Sequence, residues 1–107
     1  MTEGEALALI RELARRGRLA PQLHCTKRMA QRRLGERDLR HGLATATTLR
    51  RSDSDQRSEW TVKARDRSGD PFIVGVSIDT APPGWLEAIT VHDDDGHDDG
   101  TKGWITP

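Results

Sequence analysis

The apolar positions of this chain change their period near its midpoint. Up to about residue 45 they recur at helical spacing; beyond it they fall on every second residue. Ala6, Leu9, Ile10 and Leu13 share one side of a helix over residues 3–16, and Arg11, Glu12, Arg15 and Arg16 lie largely elsewhere. Thr2 and Glu5 stand at capping-box spacing, and Gly17 supplies a stop. Pro21 opens a second helix over about residues 22–33. Gly35-Glu36 breaks and restarts the chain, so a third short helix is expected over about residues 36–44, with Leu39 and Leu43 inward.

The second half reads as strands. Over residues 58–66, Trp60, Val62 and Ala64 point one way, and Thr61, Lys63 and Arg65 the other. Ser68-Gly69-Asp70 is a hairpin turn signal. Residues 71–79 follow, with Phe72, Val74, Val76 and Ile78 on one face and Ile73, Gly75 and Ser77 on the opposite one. Pro82-Pro83-Gly84 marks a second turn before a strand over residues 85–92, whose inward pair is expected to be Ile89 and Val91. Residues 46–51 are expected to add an edge strand. Helices followed by strands predict a single α+β domain over residues 1–92, with N-terminal helices on one face of an antiparallel sheet of about three or four strands. Residues 93–107 lose all periodicity and read as an acidic, flexible tail; Trp104 and Ile105 are its only large apolar residues, placed either to dock or to fray.

Composition narrows the picture. At 107 residues, with 34% hydrophobic and 32% charged, the chain has room for one modest core. It contains no apolar run of the roughly 20 residues that a membrane span needs. The start, Met1-Thr2-Glu3-Gly4-Glu5, is acidic where a secretory leader is basic, so a cytoplasmic protein is expected. A lone cysteine, Cys25, excludes an internal disulfide or a multi-cysteine zinc site and reads as a small packing residue. No P-loop, dinucleotide fingerprint, zincin motif or nucleophile elbow is present, and no cofactor is expected. His92-Asp93-Asp94-Asp95-Gly96-His97-Asp98 resembles a metal-binding tract but lacks the alternating ligands of a calcium loop, and reads as solvated acid.

The net charge of zero hides an asymmetry. Residues 93–107 carry −4, whereas residues 11–40 hold ten Arg or Lys against three Asp or Glu. Such a basic stripe suits a phosphate backbone, although a solvated helical face has the same composition. On a wheel of about 100° per residue, Leu23, Thr26, Met29, Ala30 and Leu34 cover one side of the second helix. His24, Arg28, Gln31 and Arg32 gather on the other. The planar fork of arginine suits phosphate, and a neighbouring imidazole can move a proton near neutral pH. Together they are what metal-independent cleavage of an RNA phosphodiester requires. The polar sheet face offers a second set, Lys63, Arg65, Ser77, Thr90 and His92, although any half-buried sheet has a polar face. His24, Arg28, Arg32, Lys63 and His92 are therefore the catalytic candidates, and Gln31, Arg65, Ser77 and Thr90 the substrate-binding ones.

The string His24-Cys-Thr-Lys-Arg28-Met29-Ala-Gln-Arg32 resembles the opening signature of the domain-of-unknown-function 4258 (DUF4258) family. The likeness continues through a hairpin at residues 58–79 and a closing strand at Ala88-Ile89-Thr90-Val91, and covers about residues 22–92. Two positions depart from the pattern. Arg33-Leu34-Gly35 stands where a glycine before an apolar residue is usual, and His92 where the last strand often ends in an aromatic residue. That family resembles small ribonuclease toxins of the barnase, colicin and RelE type. The resemblance implies an RNA-cleaving toxin paired with an antitoxin protein. A non-catalytic RNA-binding or regulatory interaction module is the alternative that the same basic helix allows.

Overall fold

The computed structural model of the chain describes residues 1–53, 57–93 and 103–107. The elements run α1 (Glu3–Arg15), β1 (Leu19–Pro21), α2 (Leu23–Gln31), α3 (Glu36–Thr45), β2 (Thr48–Arg51), β3 (Trp60–Arg65), β4 (Pro71–Ser77) and β5 (Leu86–Asp93). The strands form one sheet in the order β1-β5-β4-β3-β2. Ala6, Ile10, Cys25, Met29, Leu39 and Leu43 of the three helices join Leu49, Val62, Val74, Val76, Ala88 and Val91 of the sheet in one core. Among the described residues no helix is long and apolar enough to cross a membrane.

Local chemistry accounts for most boundaries. The Thr2 side chain accepts from the Glu5 N–H and the Glu5 carboxylate accepts from the Thr2 N–H, both at 3.1 Å, closing the expected capping box. Gly17 ends α1 in the left-handed region at φ +71. At Gly42 the constraint is steric. A Cβ there would sit 2.7 Å from Phe72 Cζ and 2.9 Å from Ala64 Cβ, so only glycine lets α3 lie this close to β3 and β4.

The sheet departs from the antiparallel expectation. Residues 19–21 do not simply lead into α2; they form a fifth strand that runs parallel to β5, with Leu19 opposite Leu86 and Pro21 opposite Ala88. Three residues carry no legible period. The proline, which lacks an N–H, is tolerated because β1 is an edge. The second departure lies in β5. Gly75 faces Thr90, but the next residue, Val76, faces Ala88, so Ile89 is a bulge. An extra residue reverses the alternation beyond it. Leu86 and Ala88 point into the core before the bulge and Val91 after it, while Ile89 leaves the core cluster. The inward pair is thus Ala88 and Val91, not Ile89 and Val91. The bulge lets Ala88 and Val91 share the core while Thr90 and His92 take the face away from the helices.

Residues 103–107 return to the domain. Ile105 and Leu49 exchange two backbone hydrogen bonds, 3.0 and 2.8 Å, so this segment adds a one-residue bridge along the outer edge of β2. Of the suggested metal tract, His92 and Asp93 end β5, and residues 94–98 lie outside the described residues, as does most of the acidic tail.

Candidate phosphate-binding and acid–base site

The buried stripe of α2 decides where its cations go. Cys25 and Met29 are the buried pair of this helix, whereas Leu23, expected inward, is 70% exposed. Taken from Cys25 at about 100° per residue, Leu23 lies about 160° away, but Arg32 only about 20° and Arg28 about 60°. The cationic row therefore borders the buried line instead of opposing it. Arg28 and Arg32 are accordingly half-buried, and His24 and Gln31 are exposed. The helix packs along β5, so the row faces the end of that strand.

His24 and His92 meet there. Both line a cleft of about 410 Å³ with Gln22, Arg57, Ser58, Ile89 and Thr90. Gln22 is placed by β1, since its N–H donates to the Ala88 carbonyl at 2.9 Å, and this fixes the start of α2 against β5. Ile89, 7% exposed, gives the cleft an apolar floor that strict alternation would have turned into the core. Ser58 and Thr90 converge above Gly75, where a Cβ would lie 2.7 Å from Ser58 Oγ and 3.0 Å from Thr90 Cγ2. Ser58 belongs to a short chain of hydroxyls: Ser52 Oγ lies 2.9 Å from Ser58 Oγ and 2.8 Å from Thr61 Oγ1. Thr90 Oγ1 stands 3.5 Å from His92 Nε2.

His92 titrates below its ordinary value. Partial burial is the main cause, followed by the positive charges of Arg28, Arg32 and His24. A neutral imidazole at pH 7, surrounded by cations, is a ready proton acceptor beside a place where an anion is welcome. Arg32 already holds an anion, the Asp93 carboxylate at the end of β5. No chain family identifies the cleft. Comparisons with protein-family models, curated proteins and solved structures return no match.

The remaining candidates lie elsewhere. Gln31 is exposed at the end of α2, outside the cleft lining. Lys63 and Arg65 belong to a second hollow of about 270 Å³, near Thr45, Thr47, Thr48 and Pro71. Arg65 Nη1 donates to the Gly69 carbonyl at 2.8 Å and braces the hairpin. Lys63 Nζ lies 4.7 Å from the centroid of the Trp104 ring. Ser77 is a correction. It has the expected face, but it is fully buried, accepting from the Thr80 hydroxyl at 2.8 Å beneath the β4–β5 turn, and offers nothing to a substrate.

Sequence patterning missed Gln22, Arg57, Ser58 and Ile89. Arg57 lies before the expected strand, Ser58 has the parity of its inward Trp60 and Val62 but precedes β3 in the structure, and only the bulge brings Ile89 to the cleft. Among the described residues no group of three or more His, Cys, Asp or Glu is arranged to hold a metal ion.

Proposed function

We propose that this chain is a metal-independent endoribonuclease, a DUF4258-like toxin of the RelE and barnase type that acts in the cytoplasm and is held in check by an antitoxin protein. The observation that supports the reading is the convergence of His24 and His92 on one cleft, with Arg28 and Arg32 behind them. His92, neutral at pH 7, takes the proton of a ribose 2′-hydroxyl. The 2′-oxygen then attacks the adjacent phosphorus. The bond to the 5′-oxygen breaks, and His24 in its charged form gives that oxygen a proton. The products are a 2′,3′-cyclic phosphate and a free 5′-hydroxyl, and the two imidazoles have exchanged protonation states. Arg28 meets the non-bridging oxygens, whose charge grows in the transition state. Thr90 and Gln22 offer hydrogen bonds to the ribose and base.

Purified protein should cleave single-stranded RNA in EDTA and leave cyclic phosphate ends. His24→Ala and His92→Ala should each lower the rate by at least about 100-fold, the range expected of an acid or base. The acid limb of the rate profile should lie below the usual imidazole value of about 6.5. Intact RNA after incubation with folded protein overturns the catalytic reading. RNA binding that falls steeply with salt and ignores His24→Ala would favour a non-catalytic module instead.

A further inference from the structure

A second cationic group lies on the sheet face that bears His92. In the register of the sheet, Thr48 faces Lys63, Lys63 faces Ile73, and Ile73 faces His92. These four residues form one rung across β2, β3, β4 and β5. With neighbouring strands about 4.8 Å apart, Lys63 and His92 start about 10 Å from each other on that face. Between them is Ile73, apolar and 7% exposed. Over Lys63 lies Trp104, brought back by the Leu49–Ile105 bridge, with Lys63 Nζ 4.7 Å and the Arg50 guanidinium 5.2 Å from its ring centroid. Arg50 is also near a carboxylate, Asp53, at 3.6 Å.

A half-exposed indole flanked by two cations, on a face with a cationic cleft at its other end, has the makings of a single-strand site. Bases stack on aromatic rings whatever their sequence, and the cations follow the phosphates. We propose that Trp104, Lys63 and Arg50 form a second nucleotide subsite for the same single-stranded RNA whose reacting phosphate enters the His24–His92 cleft, with the buried Ile73 separating the two. Phosphate takes over Lys63 and Arg50, and a base takes the indole face that a cation vacates. The cation–π contacts hold the ring in place until then. Lys63 is in this arrangement a binding residue, too far along the rung to share the chemistry of His92.

The inference rests on the RNA reading above, and its test separates the two. The probes are uncleavable 2′-O-methyl oligonucleotides of two and six nucleotides, titrated by fluorescence anisotropy. The hexamer should bind more tightly than the dinucleotide and quench tryptophan emission. Trp104→Ala should weaken the hexamer about 5- to 100-fold, the range of one stacked base, and leave the dinucleotide unchanged. Trp104→Phe should keep most of the affinity. Lys63→Gln, which leaves the Ile105 bridge alone, should weaken the hexamer and flatten its salt dependence. Equal hexamer affinity for wild type, Trp104→Ala and Lys63→Gln overturns the subsite even if RNA is cleaved. Hexamer binding that depends on Trp104 without any cleavage supports the subsite and removes the catalytic reading. Failure of the wild-type protein to bind either probe overturns both.

Discussion

Gly75 is where the fold and the cleft can be tested with one methyl group. Its Cβ in Gly75→Ala would stand 2.7 Å from Ser58 Oγ, 3.0 Å from Ser58 Cβ and 3.0 Å from Thr90 Cγ2. All three atoms belong to side chains that line the cleft, so the strain is aimed at the site. Overpacking of this kind costs about 1–3 kcal/mol. Replacing a strand glycine regains roughly 0.5–1 kcal/mol of backbone entropy. If Ser58 swings away to relieve the clash, its contact with Ser52 Oγ is lost, at about 1 kcal/mol. The balance is a destabilisation of about 1–2 kcal/mol, or roughly 5–10 °C in Tm for a domain of this size. Urea denaturation of wild type, Gly75→Ala, Ser58→Gly and the double variant measures it. Ser58→Gly removes both serine atoms, so the double variant should be more stable than the two single effects predict, by about 1 kcal/mol. RNA cleavage by Gly75→Ala should fall even where the protein is fully folded. A neutral or stabilising Gly75→Ala, or simple additivity in the cycle, would refute the packing of Ser58 over Gly75.

Three further outcomes follow from the same geometry. NMR titration should place His92 below 6.5, with Arg28→Ala and bound phosphate each moving it up. Since folding depresses this pKa, its contribution to stability is full above about 6.5 and declines as pH falls from there toward the folded value; His92→Gln should lessen that loss, and an unchanged pH dependence would count against the assignment. Gly42→Ala should destabilise by about 1–2 kcal/mol despite the higher helix propensity of alanine, and Phe72→Leu, which removes the Cζ at 2.7 Å, should recover part of the loss in a thermal melt. Asp93→Asn should release Arg32 and tighten inorganic phosphate by up to about fivefold at low salt, as loss of an ion pair with an exposed partner allows; equal affinity would show that Asp93 does not compete.

Periodicity reached the elements that have enough residues to show it. The capping box of α1 forms as the sequence implies, and Leu39 and Leu43 of α3, Trp60, Val62 and Ala64 of β3, and Phe72, Val74 and Val76 of β4 are core positions as expected. β1 was illegible because three residues hold less than two strand repeats, and its partner is β5, far along the chain. The bulge at Ile89 was illegible for a different reason. Leu86-Glu-Ala88-Ile-Thr-Val91 fits two alternations of opposite phase, and only pairing with β4 selects the break between them. The cleft inherits both difficulties. His24, Arg28, Arg32 and His92 were visible as residue types, but their meeting depends on β1 pinning α2 to β5, and the cleft floor depends on the bulge that keeps Ile89 out of the core. Leu23 shows the limit of a helical wheel drawn without its neighbours. A nine-residue helix with few apolar residues can be rotated to bury Cys25 and Met29 instead.

The parallel pairing of β1 with β5 also sets a time order. Every other strand pair joins consecutive strands, and those contacts can form as the chain emerges during synthesis. β1 must wait, with its edge unfilled, until residues 86–88 have left the ribosome. Only then does α2 acquire its seat, and only then does His24 face His92. A nascent chain stalled before β5 would carry the basic helix but not the cleft. The parallel closure of the sheet is thus also the moment at which the two imidazoles become a pair.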